Sequence, residues 1–440
     1  MIANRKTKRA SVRALGCRLN QYEVTAIADR LTLSGYEVVP FGEPADLGVI
    51  NTCTVTNEAD AKSRNVIRRF IRANPHAVTV VVGCYSQVGA SSVAEIQGVD
   101  YVIGNQDKMN LLEFIGDEKT ECPVIIRERI DRDDFSLSIN GEAPFKWRAN
   151  LKVQDGCDFM CSFCIIPFAR GRARSRAFDN LMEEARSLAH RGVRELILTG
   201  VNIGTYRSQG RDFLAMIETL ASIPGLARIR ISSIEPTTIP EKLFPLMADT
   251  RHPLLPYLHI PLQAGCDRTL VAMKRKYRLD EVTAFIRMAN ELVPNLCIGT
   301  DLMAGFPGET NDDFEQTCRT FLEHPFSYCH AFTFSERSGT PAARIADQIP
   351  MDERRRRSDR LRVLSASKRH DFYEAQVGRE VIILIEDPKN GSWPAYTENY
   401  VRVLVDSNRA DLANHLARVR LVRARPEYVE AELLEVIDPN

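Results

Sequence analysis

Short apolar runs rich in β-branched residues alternate with amphipathic helical stretches from about residue 10 to residue 335, and this alternation constrains the fold more than any other feature. Successive βα units build parallel sheets whose faces are covered by helices. In residues 10–125 the pattern predicts helices at about Gln21–Leu33 and Asn57–Ile71, with Asn57 as a helix N-cap. The preceding strands are predicted at Ser11–Leu15, Leu47–Asn51 and Val78–Val82. We expect this first segment to be an open α/β domain.

A cysteine lies just past the end of each of these three strands. Cys17, Cys53 and Cys84, called the edge cysteines below, follow the first, second and third strand. The carboxyl ends of parallel strands share one edge of the sheet, where ligands bind. Any one of these cysteines could be an ordinary buried residue. Three equivalent positions favour a shared site, and thiolates are the ligands of iron–sulfur clusters.

Residues 146–370 contain six further βα units and end in a basic helical connector. The strands are expected near Leu151–Val153, Glu195–Thr199, Arg228–Ser232, Tyr257–Ile260, Leu296–Thr300 and Cys329–Phe332. Six units rather than eight predict an incomplete TIM-like barrel, (β/α)6, with functional loops at the carboxyl face. The arginine run 354–357 in the connector fits a solvated helix face or a contact to RNA phosphates.

Three more cysteines follow the first strand of this barrel. Cys157, Cys161 and Cys164, called the loop cysteines below, have the spacing C-x3-C-x2-C. A structural zinc site would need a fourth Cys or His close by, and no His lies between Ala149 and Phe178. Three thiolates leave one iron of a cubane open to another molecule. The spacing therefore predicts a reactive iron–sulfur cluster.

From about residue 375 the pattern changes to short strands separated by turns. The strands are predicted at Val377–Glu386, Tyr400–Val405, Val419–Arg423 and Val429–Val436, with a turn at residues 388–391. Residues 375–438 are therefore expected to form a small antiparallel β-barrel.

Composition limits the compartment and the mode of binding. The formal net charge is zero, so nucleic-acid binding has to rest on local basic clusters. Eleven cysteines, an odd number in a chain of 440 residues, argue for a reducing compartment. The basic residues 1–9 lead into no apolar signal segment, and no apolar run is long enough to cross a membrane. We expect a cytoplasmic protein without membrane contact, and a monomer.

The loop cysteines, with the aromatic Phe163 before the last of them, resemble the signature of the radical S-adenosylmethionine (SAM) superfamily. The resemblance implies that they are catalytic and hold a 4Fe–4S cluster, on whose open iron SAM is cleaved to a 5′-deoxyadenosyl radical. It also implies SAM contacts from Phe163, Gly200, Asn202, Ser232, Glu235, Gln263, Asp301 and Gly305. Residues 305–310 could instead serve the turn into the next helix, with Thr310 as its N-cap.

The order of the three segments resembles the methylthiotransferase family over nearly the whole chain. Stretches similar to the branch that acts on threonylcarbamoyladenosine in tRNA are Leu15–Glu23, Asn51–Thr56, Lys152–Cys157, Pro167–Arg172, His330–Ser335 and Gly339–Ala343. Tyr396–Val403 resembles a TRAM domain, a small RNA-binding barrel. The resemblance implies a Rossmann-like first domain whose edge cysteines hold a second 4Fe–4S cluster. This cluster would carry sulfur that a further SAM methylates.

The implied reaction inserts a methylthio group at carbon 2 of threonylcarbamoyladenosine at position 37 of tRNA. The alternatives are isopentenyladenosine in tRNA and an aspartate of a ribosomal protein, both substrates of relatives. A two-cluster electron-transfer protein is a rival of another class, but electron transfer needs no SAM pocket. The implied partners are a tRNA anticodon stem-loop, an electron donor such as flavodoxin or ferredoxin, and a sulfur source.

Four arginines alternate after the loop cysteines, at Arg170, Arg172, Arg174 and Arg176. In an extended segment, alternation places all four side chains on one face. Such a face beside the cluster would bind RNA phosphates. Surface salt bridges are the alternative.

Overall fold

A computed structural model describes residues 7–137 and 147–437. The predicted domain limits at 146 and 438, and the first six residues of the basic N-terminus, lie outside these ranges. The chain divides into two compact units. Of the described residues, the first unit contains 7–137, 152–180 and 335–343, and the second contains 147–151, 181–334 and 344–437.

Six parallel strands form the sheet of the first unit within residues 7–137. In chain order they are β1 Arg9–Ala14, β2 Glu37–Val39, β3 Leu47–Thr52, β4 Val78–Gly83, β5 Tyr101–Ile103 and β6 Val124–Ile126. Their order in the sheet is β2-β1-β3-β4-β5-β6. The strands β3 and β4 are buried along their whole length, which explains their nearly uninterrupted apolar sequence.

The two predicted helices are present after β1 and β3, and further short helices that were not predicted follow β4. In chain order the helices are Arg18–Leu33, Asn57–Ala73, Cys84–Val88 and Ala90–Ala94, followed by a 3₁₀ turn at Lys108–Glu113. The N-cap predicted at Asn57 is wrong by one residue. Thr56 is the cap, because its side chain accepts a hydrogen bond from the backbone N–H of Ala59 at 3.1 Å.

The second unit contains the partial barrel as two three-stranded sheets. One sheet contains Arg148–Lys152, Glu195–Thr199 and Arg228–Ile231, and the other contains Tyr257–His259, Cys297–Ala304 and Tyr328–Thr333. These six strands match the predicted ones to within a few residues. The longer helices of the barrel are Phe178–His190, Phe213–Ala221, Leu279–Leu292 and Asn311–Glu323, with shorter helices at Leu243–Ala248 and Asp267–Ala272. The helix Met351–Glu374 forms the predicted connector.

A closed barrel of five strands ends the chain between residues 380 and 437. Its strands are Glu380–Ile385, Trp393–Thr397, Arg402–Val405, Leu416–Ala424 and Val429–Ile437. The strand Trp393–Thr397 was not expected, because its Pro394 and the preceding turn residues do not favour a strand. The predicted strand start at Tyr400 is also wrong, since Tyr400 has a φ of 66°. Within the described ranges, no helix is long and apolar enough to span a membrane.

Candidate active site

The edge cysteines lie at the carboxyl ends of three strands of the first unit, as predicted. Cys17 follows β1 and caps the next helix, Cys53 follows β3, and Cys84 begins the helix after β4. The loop after β1 passes against Cys53, because a Cβ on Gly16 would lie 2.7 Å from the Cys53 Sγ. Burial, with a smaller effect from the nearby Cys84 and Cys17 thiols, raises the pKa of the Cys53 thiol to about 11. The three thiols therefore influence one another.

The chemistry of the edge cysteines suits an iron–sulfur cluster, because their donors are three thiols at one edge of the sheet. A cubane spreads its ligands over several irons and takes cysteine thiolates. Burial disfavours thiolates in the apoprotein, but a bound metal deprotonates the thiols that coordinate it.

The loop cysteines also belong to the first unit, where backbone contacts fix the two ends of their loop. The backbone N–H of Cys157 donates to the Gly171 carbonyl at 3.2 Å. Gly156 has a φ of 70°, and a Cβ there would lie 2.0 Å from the carbonyl oxygen of Arg172. A side chain at this position is excluded. Cys161 is buried, whereas Cys157 and Cys164 are half-buried.

The two cysteine sets are held together inside the first unit. The helix that begins at Cys84 packs against the helix Ile166–Arg170, which follows the loop cysteines. The Asn105 side chain bridges them, because its Nδ2 donates to the Ala169 carbonyl at 2.5 Å and lies 3.7 Å from the Cys84 Sγ. Sequence reasoning assigned the two sets to separate domains, whereas both lie in the first compact unit.

The predicted SAM contacts, apart from Phe163, belong to the second unit. They lie within or after barrel strands, with Gly200 and Asn202 after one strand and Ser232 and Glu235 after the next. Glu235 accepts a hydrogen bond from Arg275, and burial raises the pKa of its carboxyl group. Asp301 is hydrogen-bonded to His259 Nε2 at 3.0 Å. Both carboxylates thus already have a partner within the chain.

Two of these predicted contacts, Gln263 and Gly305, have a positive backbone φ angle. Gln263 has a φ of 74° and forms an isolated bridge with Leu302. Gly305 has a φ of 76°, and a Cβ there would lie 2.4 Å from Arg354 Cγ. The Gly305 N–H donates to Glu309 Oε2 at 2.7 Å. These contacts favour the turn role of residues 305–310, in which Thr310 caps the next helix as predicted.

The structure corrects the predicted arginine face. Arg170 is the last residue of the helix Ile166–Arg170, whereas Arg174 lies in the short strand Arg174–Ser175, so only part of the segment is extended. Arg170 and Arg176 are buried, and Arg176 donates to the Tyr22 hydroxyl at 3.1 Å. Arg172 is partly exposed beside Asp158, and the Arg174 guanidinium lies 5.5 Å from the Phe135 ring centroid. Only Arg172 and Arg174 are therefore retained as candidate RNA contacts.

The connector arginines are divided in the same way between packing and surface. Arg354 and Arg357 are buried, and Arg357 binds Glu309 at 2.7 Å. Arg356 pairs with Glu353 on the surface. These contacts favour a helix that packs on one side and is solvated on the other.

An aromatic strip on the last barrel strand was missed. Tyr328, His330 and Phe332 alternate along Tyr328–Thr333, and the side chain of Phe332 is 44% exposed. The His330 ring lies 5.3 Å from Tyr328 and 5.2 Å from His259, between centroids. The two-residue spacing of the three rings was the available signal.

Comparison with known proteins identifies the family of the chain. Residues 151–321 match the radical SAM superfamily, and residues 9–104 match a family described as uncharacterized protein family UPF0004. The chain is 36% identical over 443 residues, 96% of each chain, to threonylcarbamoyladenosine tRNA methylthiotransferase MtaB of Bacillus subtilis. It is 35% identical over 397 residues, 88% of this chain and 94% of the relative, to the MtaB of Aquifex aeolicus.

A solved structure supports the fold. The radical SAM methyltransferase TsrM of Kitasatospora setae, with cobalamin and a [4Fe-4S] cluster bound, has a TM-score of 0.57 at 15% identity and covers 77% of each chain. The α/β fold class predicted from the sequence is thereby confirmed. Membership of the radical SAM superfamily implies a 4Fe–4S cluster and SAM as cofactors. Full-length similarity at this identity establishes that the chain is an enzyme of the radical SAM methylthiotransferase family, similar to its MtaB members.

Proposed function

We propose that the enzyme inserts a methylthio group at carbon 2 of threonylcarbamoyladenosine at position 37 of tRNA, and that it uses two 4Fe–4S clusters. The observation that carries this proposal is the 36% identity to an MtaB relative across 96% of both chains. Two sets of three cysteines within one compact unit support the cluster count.

The two cysteine sets would have different tasks. The loop cysteines would hold the cluster that binds SAM, and the edge cysteines would hold the cluster that carries sulfur. Together these groups supply radical generation and a transferable methylthio group when bound. The chain would bind SAM through Phe163, Gly200, Asn202, Ser232, Glu235, Gln263 and Asp301, with Gly305 shaping the adjoining turn.

RNA binding would use the C-terminal barrel, two arginines and two aromatic side chains. Arg172 and Arg174 would contact phosphates of the anticodon stem-loop. His330 and Phe332 would stack on an unpaired base, as aromatic side chains do with loop nucleotides. An electron donor such as flavodoxin or ferredoxin and a sulfur source would complete the reaction, which we place in the cytoplasm and assign to a monomer.

Nucleosides of tRNA from a strain lacking this gene test the substrate. Mass spectrometry should show loss of the methylthio form of threonylcarbamoyladenosine and accumulation of threonylcarbamoyladenosine without the methylthio group. Returning the parent gene should restore the methylthio form. Methylthio-isopentenyladenosine should be unchanged. Loss of that nucleoside instead, or no change in any nucleoside, would contradict the proposed substrate.

A further inference from the structure

Five charged side chains form a buried network in the first unit. The carboxylate of Glu23 lies at its centre, 2.5 Å from Lys108 Nζ, 2.8 Å from Lys152 Nζ and 3.0 Å from an Arg170 nitrogen. Asp155 completes the network, with ion pairs to Lys152 at 2.6 Å and to Arg170 at 3.0 Å. Each of the five side chains is 5% exposed or less.

Four of the five members come from the segments that carry the two cysteine sets, and Lys108 begins the 3₁₀ turn after β5. Glu23 lies on the helix that Cys17 caps, and its carboxylate also accepts from Asn51, two residues before Cys53. Lys152, Asp155 and Arg170 flank the loop cysteines on both sides. Glu23 therefore joins the edge-cysteine loops to the loop-cysteine segment.

Two asparagines extend the network to the edge-cysteine loops themselves. Asn20 accepts from Arg170 at 2.6 Å and donates to the carbonyls of Leu15 and Thr52 at 2.7 and 3.0 Å. It thus fixes the ends of β1 and β3, from which Cys17 and Cys53 follow. Lys108 donates to Asn105 at 2.7 Å, and Asn105 lies against the Cys84 Sγ.

The charges of the network do not balance. Three buried cations, Lys108, Lys152 and Arg170, face two buried carboxylates, which leaves one positive charge in excess. Buried charges need partners of opposite sign. The Asn20 Oδ1 that accepts from Arg170 at 2.6 Å lies 3.9 Å from the Cys17 Sγ, so the positive charge of Arg170 lies beside the edge-cysteine site. A cluster ligated by three thiolates is anionic and would supply the missing negative charge.

We propose that Glu23 is a positioning residue that fixes the edge-cysteine site relative to the loop-cysteine segment, and that the excess positive charge of its network favours an anionic cluster there. The proposal rests on the proposed two-cluster function. Group transfer between two sites depends on their separation, since a misplacement of about 1 Å can slow a reaction by about 100-fold. A buried, multiply bonded carboxylate is suited to hold such a separation constant.

The test compares Glu23→Gln with Asp100→Asn in the reconstituted full-length enzyme. Asp100 is a matched control, because it is a buried carboxylate of the same unit that accepts from Lys119 and the Thr79 N–H, both at 2.8 Å, at the amino end of β4. Electron paramagnetic resonance of the fully reduced enzyme measures the magnetic coupling between the clusters. We expect Glu23→Gln to weaken this coupling or to spread it over a wider range of values. The ratio of methylthio product to 5′-deoxyadenosine should fall about tenfold. Asp100→Asn should match the parent in both.

Arg170→Lys provides a second variant that keeps the charge but loses the planar fork that contacts Asn20, Glu23 and Asp155 together. This variant tests the positioning role if Glu23→Gln does not fold. It should also weaken the magnetic coupling between the clusters or spread it over a wider range of values. Parent-like coupling in the folded variants would overturn the positioning role while leaving the two-cluster function intact. A parent enzyme that holds only one cluster would overturn both proposals.

Discussion

The substitution Glu195→Gln in the second unit should destabilise the protein strongly. Glu195 is fully buried between two arginines, with its Oε1 2.8 Å from Arg230 Nε and its Oε2 3.3 Å from Arg228 Nε. Removing one partner of a buried ionic group leaves uncompensated charge and costs about 3–5 kcal/mol. The same arginines donate to carbonyls of residues 396–398 in the C-terminal barrel. Because Glu195 holds both arginines in place, its substitution should also loosen the attachment of that barrel.

The same ion pairs should make the stability of the protein depend on pH. Burial opposes ionisation, but Arg230 and Arg228 outweigh it and lower the pKa of Glu195 from 4.5 to about 2. Such a fall corresponds to about 3 kcal/mol. Because the pKa of the folded state is the lower one, this stabilisation is fully present above pH 4.5 and is lost as the pH falls towards 2.

Urea unfolding at pH 7 measures the effect, with Glu380→Gln as the control. Glu380 pairs with Arg420 at 2.9 Å on the surface, where such pairs contribute about 0–1 kcal/mol. We expect a loss of free energy of unfolding of about 3 kcal/mol or more for Glu195→Gln and under about 0.5 kcal/mol for the control. A loss below about 1 kcal/mol for Glu195→Gln would refute the reasoning.

Four further outcomes follow from the site. Changing the loop cysteines to Ala should halve the iron content from about eight per chain and abolish SAM cleavage, as measured by iron analysis and 5′-deoxyadenosine formation; a variant that still cleaves SAM would contradict their role. Changing the edge cysteines to Ala should preserve 5′-deoxyadenosine but remove methylthio product, and persistent product would make them core residues. Replacing Arg172 and Arg174 by Gln should make tRNA affinity less dependent on salt. The slope of log affinity against log salt concentration should fall by about one per lost phosphate contact, and it should be unchanged in the control Arg355→Gln. Phe332→Ala should weaken tRNA binding by about 1–3 kcal/mol in a titration, while SAM cleavage without RNA is retained; unchanged affinity would remove the aromatic strip from the RNA site.

Short-range sequence patterns predicted much of the fold. The β-branched run at Val78–Gly83 is apolar because the strand is buried on both faces, and a cysteine follows it at the sheet edge. Positions such as these depend only on periodicity and on the common direction of parallel strands. The spacing of the loop cysteines is likewise a local property of one segment.

The buried charges could not be predicted in this way. Glu23 and Arg170 are 147 residues apart, and nothing in their local sequence shows that they form an ion pair. Arg170 was expected at the surface, because arginines usually are and because an extended segment was assumed. The aromatic strip on Tyr328–Thr333 lies within a predicted strand, but its exposure depends on which elements cover the two faces of that strand.

The C-terminal barrel illustrates the same limit. Sequence resemblance suggested an RNA-binding module, whereas the structure adds a packing role through the buried Arg230, whose guanidinium carbon lies 4.8 Å from the Tyr400 ring centroid. Deleting the barrel would expose that arginine, so surface substitutions separate RNA binding from stability better than truncation does.

The most direct test of the account is the product that the purified, reconstituted enzyme forms on defined substrates. The enzyme is incubated with SAM, a reductant and a sulfur source, together with tRNA bearing threonylcarbamoyladenosine, tRNA bearing isopentenyladenosine, or the ribosomal protein, and products are measured by mass spectrometry. We predict a methylthio group on threonylcarbamoyladenosine alone, and none when the edge cysteines are replaced by Ala. Methylthio product on either of the other substrates, or on any substrate with the edge-cysteine variant, would contradict the account.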